Sequence, residues 1–344
     1  KLLYKSFPID IAFLRGSYAD ELGNITLERE VGTHEVTALA QAVKNSGGKV
    51  FVQVERIVKT GTLDPRLVKI PRIYVDGLVI SEPFDHQQSF DHQFDPALTG
   101  EIVVPVDSLE APPLSAKKVI GRRAAMELTE NTVVNLGIGI PEYISAVANE
   151  EGIGDYMTLT VEAGPVGASV NPECILDQHV QFDFYDGGGV DLAFLGLAQA
   201  DKIGNINVSK FGPRIAGCGG FINITQNAKK VFYCGTFTAG GLKTEIGNGE
   251  IKILQEGKEK KFIDEVEQIT FSGEYAAKIG QPVMYITERA VFELRKDGIY
   301  LTEIAPGIDL QTQVLDLMDF KPKMDGVPKL MDSRIFRDEP MGLK

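Results

Sequence analysis

The chain has three cysteines, Cys174, Cys218 and Cys234, too few and too odd in number for a disulfide framework. That points to a reducing compartment, and the expected location is the cytoplasm. No apolar run reaches the ~18 residues a membrane helix needs. Asp10 and Arg15 interrupt the apolar segment near the start, so it does not read as a signal peptide. Positive charge is scarce too: 35 Lys and Arg against 48 Asp and Glu leave a net charge of -13 at pH 7. Such a chain is not drawn to nucleic acid or to an anionic membrane surface, so neither is an expected partner. An anionic small molecule would have to be held by local backbone donors or a few cations.

Several familiar site signatures are missing. There are four histidines, and His34 and His179 have no ligand spacing. Two others lie in Asp85-His86-Gln-Gln-Ser-Phe-Asp91-His92-Gln-Phe-Asp95, which reads as a solvated loop, and no metal site is expected. Gly167-Ala-Ser169-Val-Asn171 lacks the closing glycine of a serine-nucleophile elbow. Gly137-Ile-Gly139 follows a predicted strand, but the sixth position of a dinucleotide fingerprint would be Glu142, a carboxylate aimed at a pyrophosphate. What remains there is a tight strand-to-helix turn whose amides could meet a ligand. Cys218 has no histidine near it in sequence and reads as a small packing residue.

What is present is an ordinary globular composition, 43% hydrophobic and 24% charged over 344 residues, enough for about two domains. The chain also repeats itself. Residues 11–27, IAFLRGSYADELGNITL, and 192–208, LAFLGLAQADKIGNINV, share eight of seventeen positions at an offset of 181. The same offset carries Lys49-Val50-Phe51 onto Lys230-Val231-Phe232. This predicts two related α/β lobes, each with a buried strand, a Gly-Asn turn, a helix and another strand, meeting across a cleft. The second lobe begins near Ser115, 77 residues before its copy of the motif, whereas ten residues precede the first copy. The first lobe is therefore expected to be incomplete, short by roughly 67 residues, and the chain a fragment or the covered part of something longer.

The organisation expected is residues 1–104 for the remainder of the N-terminal lobe, a proline-rich linker at 105–114, and a C-terminal lobe at 115–344. Ser115 caps a helix whose apolar face is Val119, Ile120, Ala124, Ala125 and Leu128. Thr132–Leu136 reads as a strand, and Pro141 suits the first turn of a helix running through Ala148. Further strands are expected at Val283–Thr287 and Val291–Leu294, a helix at Leu310–Met318, and an exposed hairpin at 251–264 around Gly257. Strands alternating with helices predict open, mostly parallel sheets.

Within this frame Thr158-Leu-Thr-Val-Glu162-Ala-Gly-Pro-Val-Gly167 stands out. A strand ends in a carboxylate followed by small turn residues, which can present one reactive group in the crevice of an α/β sheet; a solvated loop glutamate is the ordinary alternative. Gly217-Cys-Gly219-Gly220 is the second candidate. The offset maps it onto Val36-Thr-Ala-Leu39, so the fold does not demand glycine there, and the second lobe has cleared side chains from a backbone that something can approach. Gly187-Gly188-Gly189, mapping onto Ser6 to Pro8, carries the same idea more weakly.

Taken with the doubled Ala-Asp-x-x-Gly-Asn motif, Asn135-Leu-Gly-Ile-Gly-Ile-Pro141, Asn205-Ile-Asn-Val-Ser-Lys-Phe211 and Tyr285-Ile-Thr-Glu-Arg289, these strings resemble class I CoA-transferases over essentially the whole chain. The propionate (acetate) CoA-transferase type is the most similar. The resemblance implies two α/β lobes with a site between them and a catalytic glutamate in a Glu-x-Gly-x-x-Gly setting, which Glu162-Ala-Gly-Pro-Val-Gly167 matches. It implies acyl-CoA and short-chain carboxylic acids as substrates, coenzyme A as covalent intermediate, no permanently bound cofactor, and a homo-oligomer. For the oxyanion and CoA contacts Gly219 and Gly220 are the first choices, then Gly188, Gly189 and Gly139. Members of the family carry a longer glycine-rich loop where Gly167 here runs straight into Ala168, so a dropped loop or a true deletion is expected at that point. An acyl-CoA hydrolase and a non-catalytic binding or assembly subunit remain the alternatives.

Overall fold

The computed structural model describes residues 3–90, 92–105 and 111–344; the middle of the expected linker and Asp91 lie outside the described residues. The chain divides into two compact units, one made of the residues up to Val104 with Val161–Gln181, the other of Pro105–Thr160 with Phe182–Lys344. This departs from a linear division at 105–114 in one respect: Val161–Gln181, and Glu162 with it, groups with the first unit. The reason lies in its hydrogen bonds. Gln178 N–H donates to His34 O at 3.0 Å, Asn171 N–H to Ala97 O at 3.0 Å, and Asp177 accepts from Thr33 Oγ1 at 2.7 Å and Lys69 Nζ at 3.0 Å.

In the first unit β1 (Ile11–Arg15), β2 (Lys49–Val54) and β3 (Gly77–Ile80) form a parallel sheet in the order β1-β2-β3. Alternation sends Ala12, Leu14, Val50, Val52 and Val54 to one face, where Ala40 and Val43 of α1 (Val36–Asn45) cover them. The other face carries Ile11, 53% exposed, and Phe13, 81% exposed, with Phe13 stacked on Phe51.

The second unit is three-layered. Ser115 caps α2 (Ala116–Ala125), accepting from Lys118 N–H, and Pro141 opens α3 (Glu142–Glu150). Five strands run parallel: β4 (Thr132–Leu136), β5 (Met157–Thr160), β6 (Leu192–Gly196), β7 (Lys230–Cys234) and β8 (Val283–Ile286). Their spatial order is β5-β4-β6-β7-β8, and β9 (Ala290–Arg295), antiparallel, follows. One face packs Leu192, Phe194 and Phe232 under α2 and α3, and the other packs Ala193, Leu195, Val231 and Tyr233 under α4 (Phe221–Gln226).

The internal repeat is reproduced atom for atom in places. Ile11 pairs with Lys49 and Leu192 with Lys230, the same register at the same offset. Asp20 accepts from Leu22 N–H, Asn24 N–H and Asn24 Nδ2 at 2.9–3.0 Å, and Asp201 accepts from Ile203 N–H, Asn205 N–H and Asn205 Nδ2 at 3.0–3.1 Å. The shared Ala-Asp-x-x-Gly-Asn is thus an aspartate-clamped turn.

Three expectations are corrected. The hairpin of this region joins Lys243–Gly247 to Glu250–Gln255, not two halves of 251–264 around Gly257. Its turn is Asn248-Gly249, both at positive φ (53° and 85°), the pair a two-residue hairpin loop favours. The helix expected at Leu310–Met318 stops at Gln313, whose carbonyl accepts from the Arg289 guanidinium at 3.2 Å; a single 3-10 turn, Leu315–Leu317, follows. The stretch around His86 is not simply solvated. His86 is buried, with Nε2 3.2 Å from Glu30 Oε1 and Nδ1 3.2 Å from Gln53 Nε2, and Gln88 Nε2 donates to Arg29 O at 3.0 Å.

Candidate active site

In the first unit, Glu162 is half-buried at the first corner of a turn entered two residues after β5 ends. Gly164 N–H donates to Val161 O at 3.0 Å, and Val161 N–H to Pro165 O at 2.8 Å. The glycines behind the glutamate serve this turn rather than a ligand. Gly164 has φ +124°, and a Cβ on it would lie 2.1 Å from Leu176 O. Gly167 has φ +101°, and its Cβ would lie 2.9 Å from Glu173 N. Both contacts are made by the residues that flank the returning strand Cys174–Ile175, which pairs antiparallel with Pro165–Gly167. Gly32 leaves room on the other side, its absent Cβ 3.2 Å from Ala163 O. Asp177 anchors the returning strand. Burial works against its ionised form, but the Thr33 and Lys69 hydrogen bonds outweigh this and hold it below the usual carboxylate range.

In the second unit the C-terminal ends of β4, β6, β7 and β8 form one edge. Gly137 packs its absent Cβ 2.9 Å from Leu195 Cδ2, so that glycine is a packing requirement. Gly139 has φ +90° with nothing within 4 Å of its absent Cβ, and Ile138 between them is 91% exposed. Gly219 and Gly220 belong to this edge as well. The C-cap of α4, Asn227, donates through Nδ2 to Asp186 O at 2.7 Å, beside the start of β6, so the opposite end of α4 with the glycines points to the strand ends. By the offset α4 should begin at Gly217, where α1 begins at Val36. It begins four residues later because Gly217 (φ 82°) and Gly219 (φ 51°) take left-handed conformations, unwinding the first turn.

Gly188 and Gly189 do not belong with them. Lys229 N–H donates to Val190 O and Asp191 N–H to Val133 O, which puts this run at the N-terminal ends of β4, β6 and β7. Gly139 and Gly188–Gly189 therefore lie on opposite edges of one sheet and cannot serve one oxyanion. Gly189 is glycine for packing, since a Cβ would fall 2.2 Å from the Phe184 ring.

Sequence reasoning missed a charged network along the same edge. Lys261 Nζ donates to Leu197 O at 3.0 Å and sits 3.3 Å from Thr236 Oγ1, bridging the ends of β6 and β7. Glu288, fully buried after β8, accepts from Phe237 N–H at 2.8 Å and pairs with Arg289 Nε at 2.7 Å; Arg289 reaches Glu256 at 2.6 Å. The Thr-Glu-Arg289 string was the visible signal, but Lys261 sits in an unremarkable Lys-Glu-Lys-Lys run. Burial lowers Lys261 to about 8, against the opposing pull of the Glu288 charge. Between that value and the ordinary lysine range the unfolded chain holds a proton the folded one has shed, so stability from this group rises with pH. Unfolding free energies from denaturant titrations should therefore rise between pH 7.5 and 9.5 for the parent relative to Lys261→Met, by on the order of 2 kcal/mol. Parallel pH profiles of the two proteins would refute this.

Among the described residues no group of three or more His, Cys, Asp or Glu could hold a metal ion, and no helix is long and apolar enough to cross a membrane. A family model, Coenzyme A transferase, matches residues 1–81. The acetate CoA-transferase YdiF of Escherichia coli O157:H7 is 46% identical over 351 residues, covering 99% of this chain and 66% of that protein. The caffeate CoA-transferase of Acetobacterium woodii is 47% identical over 358 residues, covering 99% of this chain and 68% of that one. This chain belongs to the coenzyme A transferase family. It spans about two thirds of the length of these relatives. The transferase fold extends to atomic structure: the crystal structure of YdiF as a thioester complex with CoA superposes at a TM-score of 0.93, covering 98% of this chain and 65% of that one.

Proposed function

We propose that the protein transfers coenzyme A between a short-chain acyl-CoA and a short-chain carboxylate, propionate or acetate and by extension lactate, through a thioester on Glu162. The observation that carries this reading is the turn that fixes Glu162 at the end of β5, matching the family's Glu-x-Gly-x-x-Gly. An ionised carboxylate can attack a thioester carbonyl with no general base to take a proton. The Glu162 oxygen bonds to the acyl carbon and the C–S bond breaks, giving a mixed anhydride and CoA thiolate. The thiolate then attacks the glutamyl carbonyl, the C–O bond breaks, and the free carboxylate leaves Glu162 as its CoA thioester. A second carboxylate reverses both steps and departs as acyl-CoA.

Each step passes through a tetrahedral oxyanion, and one preorganised N–H donor can contribute roughly 3 kcal/mol there. Gly219 and Gly220 are assigned that role, with Gly139 as a further contact to the coenzyme. No permanently bound cofactor enters the scheme. Nucleic acid and membranes are not partners of so acidic a chain, and the protein is assigned to the cytoplasm as a homo-oligomer. Supplying propionyl-CoA with and without acetate tests this directly. Acetyl-CoA that forms only with acetate is the expected result; free CoA accumulating equally without acetate would replace the reading with a hydrolase.

A further inference from the structure

The geometry points to Gly196 as a residue that sets acyl-chain length, the space over it taking the hydrocarbon tail of the CoA ester; this rests on the transfer reaction proposed above. Glycine is kept in folded chains for a left-handed backbone or for a close approach. Gly164, Gly167 and Gly189 each show such a reason, and Gly139 shows the first. Gly196 shows neither. It ends β6 in ordinary strand conformation, in register with Cys234 of β7, and nothing among the described residues lies within 4 Å of where its Cβ would be. A glycine in a strand costs roughly 0.5–1 kcal/mol relative to a residue with a side chain. The internal repeat shows that the cost is not forced by the fold: the equivalent position in the first unit, at the end of β1, is Arg15, whose guanidinium pairs with Glu30 at 2.8 Å. The fold therefore accepts the bulk of an arginine at this point and carries none of it at Gly196.

Its position suits a ligand. In an open parallel sheet ligands collect at the C-terminal strand ends, and Gly196 is at such an end. β6 lies two places from β5, about 10 Å across the sheet of the second unit. Between them β4 is followed, after Gly137, by Ile138, 91% exposed, and by Gly139, whose absent Cβ also points into open space. An apolar rim beside two vacant Cβ positions fits a hydrocarbon chain better than a charged group.

Gly196→Ala and Gly196→Val in the native polypeptide decide the matter. Melting temperature should hold or rise, because an added Cβ has nothing beyond its chain neighbours within 4 Å and a β-branched residue suits a strand. The ratio of kcat/KM for hexanoyl-CoA to that for acetyl-CoA should fall roughly tenfold or more in the valine variant and less in the alanine variant. Dissociation constants for hexanoyl-CoA, acetyl-CoA and CoA, measured with Glu162→Gln as the background, should show the same ordering, with CoA unaffected. An unchanged ratio overturns the assignment, and so does an equal loss for all three ligands, which would mean the pantetheine arm or the fold itself. Should the parent protein transfer no CoA at all, the proposed reaction falls, and the binding series still decides whether Gly196 reads chain length.

Discussion

Glu162→Gln abolishes transfer: kcat should fall by about 10⁴-fold or more, as expected when the one covalent nucleophile is removed and the remaining interactions survive. Glutamine is close in size, so the turn keeps its backbone hydrogen bonds, Gly164 N–H to Val161 O and Val161 N–H to Pro165 O. What it lacks is a charged oxygen able to take the acyl group. The decisive readout is intact mass after exposure to acyl-CoA alone. The parent protein should gain the mass of one CoA less one water, the acyl group and an oxygen having left as the free carboxylate, and the variant should gain nothing. A variant that still exchanges acetate into propionyl-CoA at the parental rate would remove Glu162 from the chemistry altogether.

The second large effect is expected at Gly164→Val. Two independent penalties meet there. A φ of +124° is a conformation that residues with side chains rarely adopt, and the new Cβ would start 2.1 Å from Leu176 O. A backbone carbonyl cannot rotate aside as a side chain can, so the turn or the returning strand has to move. Loss of about 3 kcal/mol or more follows, read as a lower melting temperature. Because Glu162 is two residues away in the same turn, a displacement of about 1 Å would also cost roughly 100-fold in kcat at a temperature where the variant is folded. Parental melting and turnover together would show that the turn is not what holds the glutamate.

These outcomes bear on how the two kinds of glycine differ. Glycines in a sequence look alike, yet Gly164, Gly167 and Gly189 are glycine because protein atoms crowd them, whereas Gly139 and Gly196 face open space. Gly189 illustrates the cost of not knowing which is which. The run Gly187–Gly189 had the composition of a ligand loop, but it packs on Phe184 at the wrong edge of the sheet. Composition carries the local flexibility of a segment; only the strand direction carries the edge on which it ends.

The sequence by itself determined the architecture, since periodicity and repetition are local properties of a chain. The 181-residue offset already contained the duplicated α/β unit, and the structure returns it as identical strand register and identical aspartate clamps. The carboxylate at Glu162 was legible as an acid at a strand end before small turn residues, and the glycines at Gly217–Gly220 because a motif and its altered copy can be compared without coordinates; that these glycines unwind the helix start was visible only in the structure. The tertiary structure alone decided which contacts form between residues distant in sequence. It grouped Val161–Gln181 with the first unit, turned the Gln313 carbonyl toward Arg289, buried His86 against Glu30, and placed Lys261 under the ends of two strands. Each of these depends on packing and electrostatics acting across tens to hundreds of residues, where hydrophobic pattern and turn chemistry are silent.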